Sequence, residues 1–110
     1  VDGLSVAEFV ERLALTCSDS PDVAALVVTG EGLTWARLRI ALTDASFVDV
    51  FYNEASGKTA YAWVRGGNRV LGADNTGGWH WHPFEAPETH QLVEAEVTFE
   101  MFLSEVERYL

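Results

Sequence analysis

At 110 residues with a formal net charge of −10, the chain has the size of one domain, and its 48% hydrophobic and 12% aromatic content builds a core without staples. The acidity excludes a general affinity for nucleic acid, because phosphate binding needs concentrated Lys and Arg. No apolar run nears the ~20 residues that span a bilayer, and the start Val1-Asp2-Gly3-Leu4 lacks the regions of a signal peptide, so neither membrane insertion nor export is predicted.

Ser5-Val6-Ala7-Glu8 reads as a capping box, and Val6, Phe9, Val10, Leu13 and Cys17 recur at helical spacing, which predicts a helix from about 6 to 17. The lone Cys17 has no internal disulfide partner, so a buried, reduced thiol and a cytoplasmic location are expected. Ala24–Thr29 is an apolar first strand ending in Gly30-Glu31-Gly32, and Thr34–Leu42 alternates strictly as a second. Phe47–Tyr52, Thr59–Arg65 and Arg69–Ala73 complete a set of five, with turns at Thr43-Asp44-Ala45, Asn53–Lys58 and Gly66-Gly67-Asn68. Turns this short join only antiparallel neighbours. The prediction is therefore a single α+β domain over 1–110: N-terminal helix, five-stranded antiparallel meander, Trp/His-rich loop, and a C-terminal helix capped by Thr98.

Charge is unevenly spread along this order. Between Leu33 and Gly72 five basic residues face three acidic ones, a net +2 that leaves −12 for the flanks. Only one of the seven basic residues is Lys, a composition that suits solubility at high salt and that a high-GC genome also produces. Trp35, Arg37 and Arg39 share one side of the second strand, and Tyr61, Trp63 and Arg65 one side of the fourth. Aromatics interleaved with guanidinium groups form a surface for single-stranded nucleic acid. The plainer reading is a solvated sheet face whose arginines pair with Asp49 or Glu54.

All three histidines, His80, His82 and His90, lie within eleven residues. In an extended segment His-x-His points both rings to one side, a geometry that binds zinc or another divalent metal, with Asp74, Glu85, Glu88 or His90 completing the set. Imidazoles on a Pro-containing loop serve equally as surface residues or as general acid and base. The preceding Asp74-Asn75-Thr76-Gly77-Gly78 is by itself turn chemistry.

The order Tyr61-x-Trp63, Arg69, Asp74-Asn75, then His80, His82, Pro83, Pro87 and His90 resembles the TumE family of small toxins from toxin-antitoxin systems, over about residues 37 to 90. Ala73 stands where that family has an aromatic, Gly77-Gly78-Trp79 precedes the first histidine, and no adjacent His-His occurs. The resemblance implies a toxin encoded beside a cognate antitoxin protein and acting on RNA. In it Asp74 and Asn75 shape the site, His80, His82 and His90 do acid-base work or hold a metal, and Arg37, Arg39, Arg65 and Arg69 hold phosphate beside Tyr61 and Trp63. Two competing expectations are a zinc-type hydrolase with Glu85 or Glu88 as base, and a non-catalytic module that binds a protein partner through its tryptophans.

Overall fold

The computed structural model describes residues 3–110. Helix α1 spans Val6–Ser18 and starts at the expected capping box, in which the Ser5 hydroxyl accepts from the Glu8 N–H and the Glu8 carboxylate accepts from the Ser5 N–H. It buries Phe9, Leu13 and Cys17. Burial pushes the Cys17 thiol up to about 11, which keeps it protonated and unreactive at neutral pH. Helix α2, Phe99–Glu107, is capped by Thr98 and buries Phe99, Phe102, Leu103 and Val106.

Between the helices run β1 (Val23–Glu31), β2 (Trp35–Leu42), β3 (Phe47–Asn53), β4 (Thr59–Arg65) and β5 (Asn68–Asp74). They form the antiparallel meander that the turn chemistry predicts, and the α+β architecture holds. The meander does not stop at five strands. It continues through β6 (His80–His82) and β7 (Gln91–Leu92), so that seven strands lie in chain order. The segment expected as a Trp/His loop is therefore sheet in part. Its alternation Trp79-His80-Trp81-His82 is a two-residue period that gives one apolar and one polar face, and β5 supplies the pairing partner.

Both helices cover the same face of the sheet: α1 packs on β1, β2 and β3, and α2 on β4 and on α1. Leu38, Ile40, Val48, Val50, Leu71 and Ala73 point into that layer. Tyr61 and Trp63 point there too, which corrects the expectation that they line an exposed face with Arg37 and Arg39. The register explains the difference, since Leu38 opposes Val50 and Val50 opposes Tyr61, and residues in one cross-strand row share a face. Among the described residues no helix is long and apolar enough to cross a membrane.

Trp63, with 0% of its surface exposed, occupies the centre of the core, and its indole N–H finds a polar partner there. It donates to the Ser46 hydroxyl at 2.9 Å, which in turn donates to the Asp44 carboxylate. Arg65 lies over the Trp63 ring with its Nε 3.6 Å from the other Asp44 oxygen. The Ser46 hydroxyl, aided by the Ser46 N–H and the Arg65 charge and opposed by burial, holds the Asp44 carboxyl below the usual carboxylate range. A carboxylate with a lowered folded-state value stabilises the fold above its ordinary value, and that contribution disappears as the pH falls through the folded value. Asp44→Ala is thus expected to lower stability at pH 7 by on the order of 1 kcal/mol after solvent screening. The gap to wild type begins to close only as the pH falls below about 4 and narrows further through the lowered folded-state value, as urea unfolding at pH 7 and at progressively lower pH would show.

Candidate metal centre

The face turned away from the helices carries the chemistry. On β5 and β6 the register sets Gly72 opposite His82 and Asp74 opposite His80, so both imidazoles and the carboxylate stand on that open face while Trp81, opposite Ala73, turns inward. Trp81 stacks on Phe102 with ring centroids 5.6 Å apart and planes 7° apart. Trp79 stacks on Tyr61 at 6.1 Å. These tryptophans are partly buried and packed against the core.

The segment after β6 folds back so that His90 lies face to face with His80, at a centroid distance of 4.9 Å, and edge-on to His82 at 4.6 Å. Arg69 holds this return in place by donating from Nη2 to the Pro87 carbonyl at 2.9 Å. The result is a depression of about 500 Å³ lined by Arg69, Asp74, His80, His82 and His90. His80 and His82 are only 5% and 6% exposed, whereas His90 stays at the surface.

Hydrogen bonding around His80 fixes what it offers to the depression. Its Nδ1 lies 3.0 Å from the Gly78 carbonyl, an acceptor only, so Nδ1 carries the proton and the neutral ring leaves Nε2 as a lone pair. That Nε2 faces Asp74 Oδ1 at 3.4 Å. Two acceptors facing each other require a cation between them or a second proton on the ring. His82 Nε2 is 3.2 Å from Asp74 Oδ2, and its Nδ1 is buried with no hydrogen-bond partner among the described residues. Burial pushes Asp74 up, but the Thr76 N–H, the His82 hydrogen bond and the adjacent imidazoles outweigh it and hold the carboxyl below the usual range.

A divalent ion between His80 Nε2 and Asp74 would bridge that pair of acceptors, as would one proton on the His80 ring. Each of the three rings presents one nitrogen, and these three atoms lie within 4.8 Å of one another. Ligand atoms around a four-coordinate zinc stand about 3.3 Å apart, close to the 3.4 and 3.2 Å that separate His80 and His82 from the two Asp74 oxygens. The His80 bond to a backbone carbonyl is the outer contact that orients a metal-binding imidazole.

Other expected site residues lie elsewhere. Asn75 holds the turn between β3 and β4, accepting from the Thr59 N–H and donating to the Gly57 carbonyl. Arg65 is committed to Asp44 and to the Tyr109 carbonyl at the end of α2. Arg37 and Arg39 share the open face but stand on β2, and Arg39 is bound in a fork to Asp49 at 2.8 and 3.0 Å. Glu85 and Glu88, like Asp74, are not among the three converging residues, but Asp74 alone of them contacts His80 and His82. Gly72 is the residue that sequence reasoning misses: a Cβ there would come within 3.3 Å of both the His82 ring and the Arg69 side chain.

Comparison with protein-family models, with curated proteins and with solved structures finds no match. Gly72→Val is expected to retain the fold at a cost of about 1–3 kcal/mol, while the His82 ring is forced out of its position. Changed imidazole nitrogen shifts with an unchanged far-ultraviolet dichroism spectrum would record this, and unaltered His82 resonances would contradict it.

Proposed function

We propose that this protein is a metal-dependent hydrolase of the zinc type, with the ion held by Asp74, His80, His82 and His90. The observation that carries the reading is the pair of acceptors His80 Nε2 and Asp74 Oδ1, 3.4 Å apart, within a cluster of three imidazoles. The chemistry of the donors suits zinc or a neighbouring divalent transition metal, because imidazole nitrogen with one carboxylate is a borderline set. The depression is open on the side of His90, so water can enter as a further ligand, and zinc accommodates five-coordination. A zinc-bound water ionises near neutral pH and becomes a nucleophile. Arg69, on the rim of the same depression, is placed to stabilise negative charge developing on a substrate.

The purified protein is expected to hold one zinc per chain by elemental analysis, and His80→Ala and His82→Ala to lose it. Chelation should lower stability, by about 2.7 kcal/mol where free zinc had been a hundredfold above its dissociation constant, and should abolish hydrolysis across a panel of activated esters and phosphoesters. A folded protein with no affinity for zinc, nickel, cobalt or iron would overturn the reading.

A second reading rests on Arg69 beside the three imidazoles and on the resemblance to TumE-like toxins. An in-line attack by a ribose 2′-OH needs a base, an acid and a cation, and histidine with arginine supplies all three without metal. Here the partners are RNA and a cognate antitoxin protein. Arrest of growth and fragmentation of total RNA on inducing the wild type, absent with His82→Ala, is the expected result of that chemistry. Normal growth and intact RNA with the folded wild type would sink it.

A further inference from the structure

The open face of the sheet carries two cross-strand rows that lead away from the histidines. One runs Arg37, Phe51, Ala60, Asp74, His80, each residue directly opposite the next on the neighbouring strand. The other runs Arg39, Asp49, Ala62, Gly72, His82. Both rows begin with an arginine on β2, end with a histidine on β6 and fall to small residues between. Ala60 and Ala62 thus form a low, partly open floor, whereas Gly72 lies beneath the Arg69 and His82 side chains. A depression of about 320 Å³, bounded by Thr29, Arg37, Asp49 and Phe51, opens over Ala60 and Ala62, and the separate histidine depression begins at Asp74, the residue paired with Ala60 on the next strand.

The two arginines differ in what remains of their charge. Arg39 is neutralised by the Asp49 fork and rests on the Phe47 ring at 3.8 Å. Arg37 lies over the Phe51 ring, 5.1 Å from its centroid, and has no carboxylate partner among the described residues. Its guanidinium therefore leans from β2 toward β3, which places the charge about 10 Å, or two strand spacings, from Asp74 on β5. An unpaired guanidinium on an aromatic plate binds the oxygens of a carboxylate or phosphate in a fork. Arg37 and Arg69 carry two positive charges against the single negative charge of Asp74, and a bound divalent ion would add to them. This end of the open face is locally positive on a chain whose net charge is −10.

We propose that this trough binds an elongated, flat, anionic substrate, with a carboxylate or phosphate group on Arg37 and its reactive end at the metal. The inference deepens the metal reading and rests on it. The small floor residues admit a planar body, Phe51 and Arg37 seat one end, and the span between the two cationic ends selects length.

The test uses the zinc-loaded protein and three probes by calorimetry: biphenyl-4,4′-dicarboxylate, its analogue with one carboxylate replaced by phosphonate, and biphenyl-4-carboxylate. The two-ended probes are expected to bind at least about tenfold tighter than the one-ended probe, the contribution of a charge-assisted fork. Arg37→Gln, at an exposed position, should erase that advantage while zinc stoichiometry and binding of the one-ended probe persist. Ala62→Leu, which fills the floor, should erase it equally. Tighter binding of the phosphonate probe identifies a phosphate ester as the class, and tighter binding of the dicarboxylate a carboxylate. Stoichiometric zinc without the two-ended advantage, or an advantage that survives both substitutions, overturns the trough. Failure to bind any divalent metal overturns the metal reading beneath it.

Discussion

A slip of β6 by one residue against β5 would turn His80 and His82 into the apolar layer and throw Trp81 out into water, because side chains alternate faces along a strand. The register that prevents this is held from the core side. Trp81 is packed flat on Phe102 of α2 and Trp79 on Tyr61 of β4, so two large rings must leave their contacts before the histidines can move. Each aromatic contact of this kind adds about 0.5–1.5 kcal/mol beyond burial. The helix α2 thus positions the site without contributing a residue to it, and the turn through Gly77 and Gly78, both at positive φ, delivers the chain to that register with the Gly78 carbonyl against His80.

Electrostatics then decide what the open face can hold. A half-buried carboxylate beside two nearly buried imidazoles is costly unless every lone pair has a partner. The structure supplies partners on the outer side, the Gly78 carbonyl for His80 Nδ1 and the Thr76 N–H for Asp74. On the inner side the acceptors converge. The outer contact fixes the orientation of the His80 ring, as the proposed cation site requires, while His82 Nδ1 is left without a partner among the described residues.

The sequence made the framework legible because its turn residues and two-residue alternation are local signals. The capping box of α1, the Thr98 cap of α2 and strand β4 at Thr59–Arg65 all occur where those signals lie. The histidines were visible as a cluster, and the same-side geometry of His-x-His follows from strand pleating. Two things were not legible. Which face of β4 is buried depends on pairing: Tyr61, Trp63 and Arg65 alternate with Ala60, Ala62 and Val64, and large aromatics next to arginine read as exposed until Val50 and Val48 are found opposite them. The three-residue β6 has too little length to register between Gly78 and Pro83, although Trp-His-Trp-His already carries the strand period. Gly72 gave no signal at all, since its smallness is demanded by side chains ten and three residues away in sequence, His82 and Arg69.

The distribution of charge gives these features a common direction. Acidic residues crowd the flanks, and the first and last helices carry Glu8, Glu11, Glu100, Glu105 and Glu107, all on the far side of the sheet from the histidines. The open face holds arginines at one end of its rows and the histidine cluster at the other, with Ala60, Ala62 and Gly72 between them. A long polyanion such as nucleic acid extends well beyond this strip and meets the acidic remainder of the chain, so counterion release cannot drive its binding. A small anion spanning only the strip experiences the local positive field and little of the repulsion, which short screening lengths in salt confine further. The physics of the whole chain therefore favours a compact anionic ligand over a nucleic acid at the same set of residues.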